Sequence, residues 1–269
     1  MNADTGRSES SAEKHAAYVQ TVEGKLRLDL AWANLCSFLP SAAANHTSRA
    51  LDVGGGTGAL AIRLAGLGFL VTVVDTSSDM LAFAQQAVQQ AGATDYVRFE
   101  QASAADLAEI FPQSSCEVVI CHNVLEYLDD PSPAVRGIAY VLKHTKEAVA
   151  SIAVRNRAGE VLKAAIKAGD LALAAETLDL RKVREPLGGE YVSLYNLFQL
   201  RHLLAQASLE VIAERGLRVF ADYLPGRFFE QDGAYARVLA LERRLGARPE
   251  FAAIARYTQV LVRASDNRN

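Results

Sequence analysis

Residues 51–60 read LDVGGGTGAL, a short apolar run that leads into a cluster of glycines. Counted from Gly54, the cluster fits G-x-G-x-x-A, a pattern typical of a strand-to-helix turn over a pyrophosphate. Counted from Asp52, it fits D-x-G-x-G-x-G and ends at Gly58. The turn therefore predicts a nucleotide-derived ligand and leaves two kinds of cofactor open.

Strand-like and helix-like segments alternate around this turn. A helical pattern covers residues 13–39, and further helices are predicted at residues 59–67, 78–91 and 132–142. Apolar strands are predicted at residues 50–53, 69–75, 96–102, 116–123 and 147–154. Five apolar strands separated by helices predict an α/β fold with a parallel sheet covered on both faces.

The alternation stops after Val154, where the pattern becomes more helical. We predict one or two helices in residues 158–180, a loop at 186–193, a helix at 195–207, a strand at 209–220, a helix at 233–246 and a last strand at 257–264. The predicted organisation is a disordered lead-in, residues 1–12, and one domain, residues 13–265. Its cofactor half covers residues 13–154 and its acceptor-binding half residues 155–265.

Composition sets limits on the kind of protein. Half of the 269 residues are apolar, which is enough for a large core. No apolar run reaches the ~20 residues of a membrane span, and the first residues lack a signal-peptide pattern, so we expect a cytoplasmic protein without a membrane partner. Three cysteines form no C-x-x-C pair, and no metal is expected.

The net charge of −3 is unevenly distributed. Residues 1–150 carry 10 basic and 17 acidic residues, whereas residues 151–269 carry 18 basic and 14 acidic residues. The second half is therefore the better place for an anionic partner, although scattered solvated charge would give the same counts.

Two carboxylates help to decide which cofactor the turn binds. Asp75 ends the second predicted strand and suits ribose hydroxyls in either kind of nucleotide. Asp52 ends the first strand, where a negative charge repels a pyrophosphate but suits the ammonium and sulfonium groups of S-adenosylmethionine. Asp52 could also simply cap backbone N–H groups. Together with Gly58 it favours S-adenosylmethionine over NAD.

With these residues in place, the chain resembles the class I S-adenosylmethionine-dependent methyltransferases. LDVGGGTG resembles their first motif, VVD (73–75) their second, and HNVLEYLDDP (122–131) the segment after the fourth strand. The resemblance implies a Rossmann-like, seven-stranded, mostly parallel sheet whose antiparallel last strand inserts beside the fifth. Helical embellishments would lie in the C-terminal half.

A narrower resemblance covers most of residues 24–263. The chain is similar to the bacterial tRNA 5-carboxymethoxyuridine methyltransferases in GKLRLDLAWANL (24–35), HNVLEYLDDP, VRNRAGEVLKAAIKAGD (154–170), GLRVFADYL (216–224) and the segment 235–257. That family methylates the carboxylate of a modified wobble uridine, so the resemblance implies tRNA as partner and a role in tRNA modification and processing. The agreement is weakest at residues 171–195.

The resemblance also implies cofactor contacts. Gly54, Gly55 and Gly56 would pass along the methionine part, and Asp75 would hold the ribose. Around the adenine and the methionine carboxylate we expect Met80, Ala104, Ala105, Asp106, Arg27 and His122. Several have a plainer interpretation: Met80 as core, Asp106 as a helix cap, Arg27 as a solvated cation, and His122 as a packed side chain.

A carboxylate acceptor is already ionised at neutral pH, so it needs alignment and no general base. Candidates for orienting it are Arg155, Asn156, Tyr195, Arg218 and Tyr223, each of which could equally be a surface or packing residue. Phosphate contacts would come from Arg181, Lys182 and Arg184.

Three alternatives remain from the sequence. One is a methyltransferase for a small-molecule acid, hydroxyl or amine, favoured by the sparse basic run at residues 180–185 and the negative overall charge. Another is a non-catalytic binding protein on the same fold. The third is an NAD-dependent dehydrogenase, which the G-x-G-x-x-A pattern alone would allow.

Overall fold

The computed structural model describes residues 11–40, 47–184 and 189–265. The strands of its main sheet are β1 (Arg49–Val53), β2 (Leu70–Asp75), β3 (Val97–Gln101), β4 (Val118–His122), β5 (Val149–Arg155), β8 (Leu209–Leu217) and β9 (Tyr257–Ala264). They lie in the order β3-β2-β1-β4-β5-β9-β8, in which β1 to β5 are parallel and β9 is antiparallel to both of its neighbours. The predicted mostly parallel sheet, with its last strand inserted beside the fifth, is confirmed.

Helices cover both faces of the sheet. They are α1 (Ser11–Gln20), α2 (Val22–Cys36), α3 (Ala59–Ala65), α4 (Ser78–Gln90), α5 (Leu107–Ile110), α6 (Ser132–Val141), α7 (Arg157–Leu162), α8 (Leu171–Asp179), α9 (Leu197–Gln206), α10 (Ala234–Gly246) and α11 (Pro249–Ala252). One buried cluster joins the sheet to α5, α6 and α9, and a second joins it to α2, α3 and α4. All seven residues of β5 are buried, as expected for a central strand of a two-sided sheet.

The predicted helix over residues 13–39 is two helices. Thr21 interrupts it in an extended conformation, and its hydroxyl accepts a hydrogen bond from the Gly24 N–H and so caps α2. A side chain at Gly24 would collide with the Tyr18 carbonyl oxygen, because the two helices approach closely there. The break lets α1 pack across the sheet end, where it also contacts α4.

The second half differs from prediction in three places. Residues 158–180 form α7, a π-helix at Lys163–Lys167, and α8. The predicted loop at 186–193 contains a strand, β7 (Tyr191–Ser193), which pairs with β6 (Lys182–Arg184); residues 185–188 lie outside the described part. The predicted strand at 209–220 ends at Leu217, because Arg218 has a φ of 61° and leaves the sheet.

The predicted lead-in falls largely outside the described residues: the described chain starts at Ser11, which begins α1. The division into a cofactor half and an acceptor-binding half stays a prediction. Within the described ranges, no helix is both long and apolar enough to cross a membrane.

Candidate active site

The glycine cluster forms a tight turn between β1 and α3. Gly54, Gly56 and Gly58 have φ values of 64°, 52° and 72°, a region that other residues rarely adopt. The Gly54 N–H donates to the Val74 carbonyl oxygen at 2.6 Å, which fixes the turn to β2. A Cβ atom on Gly54 would lie 2.2 Å from Val124 Cγ2, so only glycine fits at this position.

Asp75 lies at the end of β2 and faces this turn. Its carboxylate accepts hydrogen bonds from the Gly56 N–H at 3.2 Å and from the Ser77 N–H at 3.0 Å. The Ser77 hydroxyl in turn caps α4. The carboxylate is therefore held in one orientation at the edge of the sheet where ligands bind in such folds.

A cavity of about 310 Å³ opens above the turn; we call it the glycine-turn pocket. Seven of the predicted cofactor residues line it: Arg27, Gly54, Gly56, Asp75, Met80, Ala104 and His122. Its walls therefore combine a backbone turn, a fixed carboxylate and apolar side chains. This set fits a nucleoside with a charged tail.

Four predicted cofactor residues lie elsewhere. Ala105 and Asp106 are exposed, and neither lines the glycine-turn pocket. The Asp106 side chain also makes no capping hydrogen bond to α5. Gly55 and Asp52 line a smaller neighbouring cavity of about 70 Å³ behind the turn.

Asp52 lies buried beneath the glycine turn, 2% exposed. Burial raises the pKa of its carboxyl to about 7, although a backbone hydrogen bond from Ala61 opposes the shift and the nearby Asp75 adds to it. Its Oδ2 atom is buried and has no hydrogen-bond partner in the described part of the chain. Asp52 thus accepts a hydrogen bond from the backbone, which was the alternative to a role in cofactor binding. Its Oδ2 atom is also a free acceptor beside the turn.

Arg27 begins a short chain of hydrogen bonds along the floor of the pocket. Its Nη1 donates to Asn123 Oδ1 at 2.6 Å, and Asn123 Nδ2 donates to Glu126 Oε1 at 2.9 Å. Asn123 holds a φ of 57°, an uncommon conformation that often marks functional positions. Arg27 is thus an ordered side chain in the pocket wall.

His122 ends β4, and its Nε2 lies 2.8 Å from Ser151 Oγ. Burial, with the Arg27 charge as a second cause, lowers the pKa of His122 to about 3. The imidazole is therefore neutral at physiological pH and contributes shape and a hydrogen bond to the pocket.

A second cavity of about 310 Å³ shares a wall with the first; we call it the basic pocket. The shared wall consists of His15, Arg27, Asn123 and Tyr127. Six basic side chains line the basic pocket: Arg27, Arg155, Lys163, Lys167, Arg218 and Arg256. Its lining carboxylates are Glu23, Glu126 and Asp222, so positive charge is in excess.

Buried ion pairs hold the arginines in place. Arg155 Nη1 donates to Glu160 Oε1 at 2.9 Å, and Arg256 pairs with the same carboxylate. Arg218 pairs with Asp222 at 2.5 Å. Because two carboxylates pair with three arginines, they fix the guanidinium groups and leave one positive charge uncompensated.

Two tyrosines complete this layer. Four guanidinium groups lie 5.5–5.8 Å from the centre of the Tyr257 ring, and Arg218 Nη1 donates to the Tyr18 hydroxyl at 2.8 Å. Burial disfavours the Tyr257 phenolate, but the surrounding arginines, Arg155 first, lower its pKa below the ordinary value. Burial and the neighbouring Tyr257 raise the pKa of Tyr18. The arginine field at this point is strong enough to favour an anion.

Of the residues predicted to orient the acceptor, Arg155 and Arg218 line the basic pocket, whereas Tyr195 and Tyr223 line neither pocket. The Tyr195 hydroxyl is buried and donates to the Leu125 carbonyl oxygen at 3.0 Å. Asn156 caps α7 and donates to the carbonyl oxygens of Ala253 and Ala255. Tyr195 and Asn156 thus join elements of the scaffold.

The predicted phosphate-binding set lies on β6 and just before it. Lys182 pairs with Asp129 at 2.8 Å, and Arg184 Nε donates to the Gly189 carbonyl oxygen at 3.1 Å. Arg181 is exposed. Among the described residues no group of His, Cys, Asp and Glu side chains could hold a metal ion.

Sequence reasoning missed several residues of the basic pocket: Tyr18, Asn123, Glu126, Lys163, Lys167, Arg256 and Tyr257. One signal was available, since Lys163 and Lys167 are spaced to share one side of a helix. Arg256 and Tyr257 carry no such signal, because their role depends on β9 inserting beside β5.

A family model described as a methyltransferase domain matches residues 51–150. This segment contains the glycine turn, Asp75 and the loop after β4. The chain contains a methyltransferase domain. The residues of the glycine-turn pocket fit S-adenosylmethionine as its cofactor, because two positive-φ glycines, Gly54 and Gly56, leave space for it and Asp75 offers acceptors to a ribose.

Relatives of this methyltransferase extend the comparison. The tRNA 5-carboxymethoxyuridine methyltransferase of Escherichia coli (strain K12) is 28% identical over 96% of both chains. The ubiquinone biosynthesis O-methyltransferase of Paracidovorax citrulli (strain AAC00-1) is 37% identical over 35% of this chain and 39% of its own. The S-adenosylmethionine dependent methyltransferase structure from Mesorhizobium loti has a TM-score of 0.60 at 19% identity, covering 90% of this chain and 100% of that one, which shows the shared fold.

Proposed function

We propose that this methyltransferase transfers a methyl group to the carboxylate of a 5-carboxymethoxyuridine-type wobble nucleoside in tRNA. The observation that carries the proposal is the basic pocket, whose six basic side chains adjoin the glycine-turn pocket. The similarity to the Escherichia coli tRNA methyltransferase over nearly the whole chain supports the same acceptor. A tRNA acceptor would place the protein in the cytoplasm.

On this proposal the glycine-turn pocket holds the cofactor. The backbone of the turn approaches the methionine part, Asp75 accepts from the ribose hydroxyls, and Arg27 lies near the methionine carboxylate. When bound, S-adenosylmethionine supplies a methyl group attached to a sulfonium sulfur. After the transfer, the rest of the cofactor is a neutral thioether. We assign Met80 and Ala104 to the adenine end, since both line the same pocket.

The acceptor carboxylate needs an anchor that keeps it ionised. Arg155 and Arg218 meet this need because their own carboxylate partners, Glu160 and Asp222, fix the guanidinium groups from behind. A carboxylate oxygen aligned in this way attacks the methyl carbon directly: the O–C bond forms as the S–C bond breaks, and no proton moves. Proximity and orientation account for the rate acceleration, so no general base is required.

The test is methyl transfer to bulk tRNA from cells that lack the enzyme, with labelled cofactor. We expect label in one nucleoside, released by mild alkali as methanol, because a carboxylate methyl is an ester. An Arg218→Met variant should lose roughly tenfold or more in kcat/KM while cofactor affinity changes little, since truncating a paired buried charge affects that pocket. Label that survives alkali would sink the proposed carboxylate acceptor.

The same assay distinguishes the methylation of small acids from the methylation of tRNA. Such a reaction would be indifferent to added tRNA and to salt, whereas a polynucleotide acceptor loses affinity as salt rises. Robust turnover of a small acid with no label in tRNA would replace the proposal with the small-molecule alternative.

A further inference from the structure

The π-helix at Lys163–Lys167 borders the basic pocket. The N–H of Ala168 bonds to the Lys163 carbonyl oxygen at 3.1 Å, five residues back, which widens the turn. Such turns are rare and occur often at functional sites. Here the widened turn carries a lysine at each end, and both lysines line the basic pocket.

These lysines differ from the arginines in their partners. The arginines Arg155, Arg218 and Arg256 are each fixed by a buried carboxylate. In the ranges that the structure describes, neither Lys163 nor Lys167 forms a side-chain hydrogen bond or an ion pair. Their positive charges are therefore available to a ligand.

The surroundings of Lys163 already contain an excess of positive charge. Burial lowers its pKa first, the Arg256 charge adds to this effect, and Glu160 only partly opposes it. Glu160 is itself shared by two arginines. An anion placed beside Lys163 would relieve the repulsion that Glu160 leaves.

The two lysines also differ in depth. Lys163 is half-buried and Lys167 is exposed, so they lead from the interior of the basic pocket to its mouth. The arginine and tyrosine layer at Arg218 and Tyr257 lies deeper, with both residues buried. The pocket thus offers two anion positions, a rigid inner one and a flexible outer one.

We propose that Lys163 and Lys167 form a phosphate subsite for the acceptor nucleotide, outside the arginine layer that holds its carboxylate. A nucleotide within RNA carries a phosphodiester on either side of its ribose, whereas a free acid carries none. The outer subsite therefore selects a polynucleotide acceptor. This inference rests on the proposed function. It means that the enzyme binds two anionic groups of the acceptor, the carboxylate at the arginine layer and a phosphate at the two lysines.

Binding of an unmodified, fluorescently labelled single-stranded RNA pentamer tests the subsite without any methyl transfer. The full-length protein, loaded with S-adenosylhomocysteine, is titrated by fluorescence anisotropy at several salt concentrations. For the double variant Lys163→Met, Lys167→Met we expect affinity to fall about tenfold and the slope of log K against log salt to decrease in size by about 0.7, the value for one phosphate on a single strand.

Two controls separate charge from folding. Lys146→Met removes an exposed lysine before β5, at the opposite edge of the sheet, and should bind like the wild type. The double replacement Lys163→Arg, Lys167→Arg keeps the charge and should retain most of the affinity. If the methionine double variant, with an unchanged melting temperature, binds the pentamer with wild-type affinity and salt slope, the phosphate subsite is wrong.

Activity then separates this inference from the proposed function. The methionine double variant should lose kcat/KM toward tRNA but keep it toward the free modified nucleoside acid. Equal losses with both acceptors would mean that the lysines hold the carboxylate, which overturns the phosphate subsite. Lysine-dependent RNA binding without methyl transfer to tRNA would leave the subsite standing and reject the proposed acceptor.

Discussion

The two pockets that share the Arg27 and Asn123 wall are built in different ways. The glycine-turn pocket is lined by two glycines of the turn and by residues at or just after the ends of β1, β2 and β4, which the parallel sheet brings to one edge. The basic pocket is lined by long side chains from α1, α2, the π-helix and the segments around β8 and β9. The first depends on local conformation, and the second on ion pairs between distant segments.

This difference has a physical consequence. A turn fixed by glycine conformation tolerates almost no side chain, whereas a cluster of paired charges is sensitive to the loss of one partner. Three variants test the contrast, from the largest expected effect to the smallest.

The largest effect concerns Asp52, beneath the glycine turn. Its folded pKa of about 7 exceeds the ordinary carboxyl value, so the native state binds more protons than the unfolded state between about pH 4 and pH 7. Stability should therefore fall as pH rises through this window, by on the order of 4 kcal/mol. In Asp52→Asn this part of the slope should vanish.

Denaturant unfolding across pH 4 to 8 measures the slope. The comparison uses slopes and not absolute stabilities, because the asparagine amide also leaves a buried donor without a partner. Identical pH slopes for the wild type and Asp52→Asn would contradict a carboxyl that stays protonated beneath the turn.

The next effect concerns Gly54. Alanine there meets Val124 Cγ2 at 2.2 Å and must hold a φ of 64°, so we expect the turn to shift and cofactor affinity to drop about 100-fold, near 2.7 kcal/mol. Calorimetric titration with S-adenosylmethionine gives the affinity.

Gly92→Ala is the matched control for this variant. Gly92 has a φ of 68° but no atom within 4 Å of an added Cβ, so it isolates backbone strain from collision. It should cost about 1 kcal/mol of stability and leave cofactor affinity unchanged. Equal cofactor affinities in Gly54→Ala and Gly92→Ala would mean that close packing at the turn is unimportant.

The smallest effect concerns Tyr195, whose hydroxyl donates to the Leu125 carbonyl oxygen outside both pockets. Tyr195→Phe removes one buried hydrogen bond and should cost about 1 kcal/mol of unfolding free energy. Its kcat/KM should stay within about twofold of the wild type, unlike that of Arg218→Met. A large loss of kcat/KM at unchanged stability would return Tyr195 to the set of acceptor-orienting residues.

Sequence patterns predicted the residues of the glycine-turn pocket better than those of the basic pocket. The glycine turn, Asp75 and the strand-end His122 were predictable because they lie in or beside short motifs with fixed spacing to a strand. Ala105 and Asp106 were expected beside the adenine from the family resemblance, and they stay predictions. Neither lines the glycine-turn pocket, because a three-residue helix turns the chain at Ala104–Asp106.

In the basic pocket, Arg155 and Arg218 were expected near the acceptor and Arg27 near the cofactor. Tyr18 reaches the basic pocket because α1 and α2 are separate helices. The sequence did not predict this break at Thr21, because the helical pattern continues through it. Tyr257 was missed because its surroundings come from four arginines that span residues 27 to 256. No window of sequence contains that arrangement.

The sequence by itself determined the order of strands and helices, the parallel arrangement of the first five strands, and the turn at residues 54–58. Those features follow from local periodicity and from the glycine requirement at positive φ, whereas the antiparallel last strand was implied only by the family resemblance. Only the tertiary structure decided that six basic side chains converge beside this turn and that Glu160 and Asp222 hold the arginines. Long-range electrostatics depends on which segments meet, and the fold sets that where sequence spacing cannot.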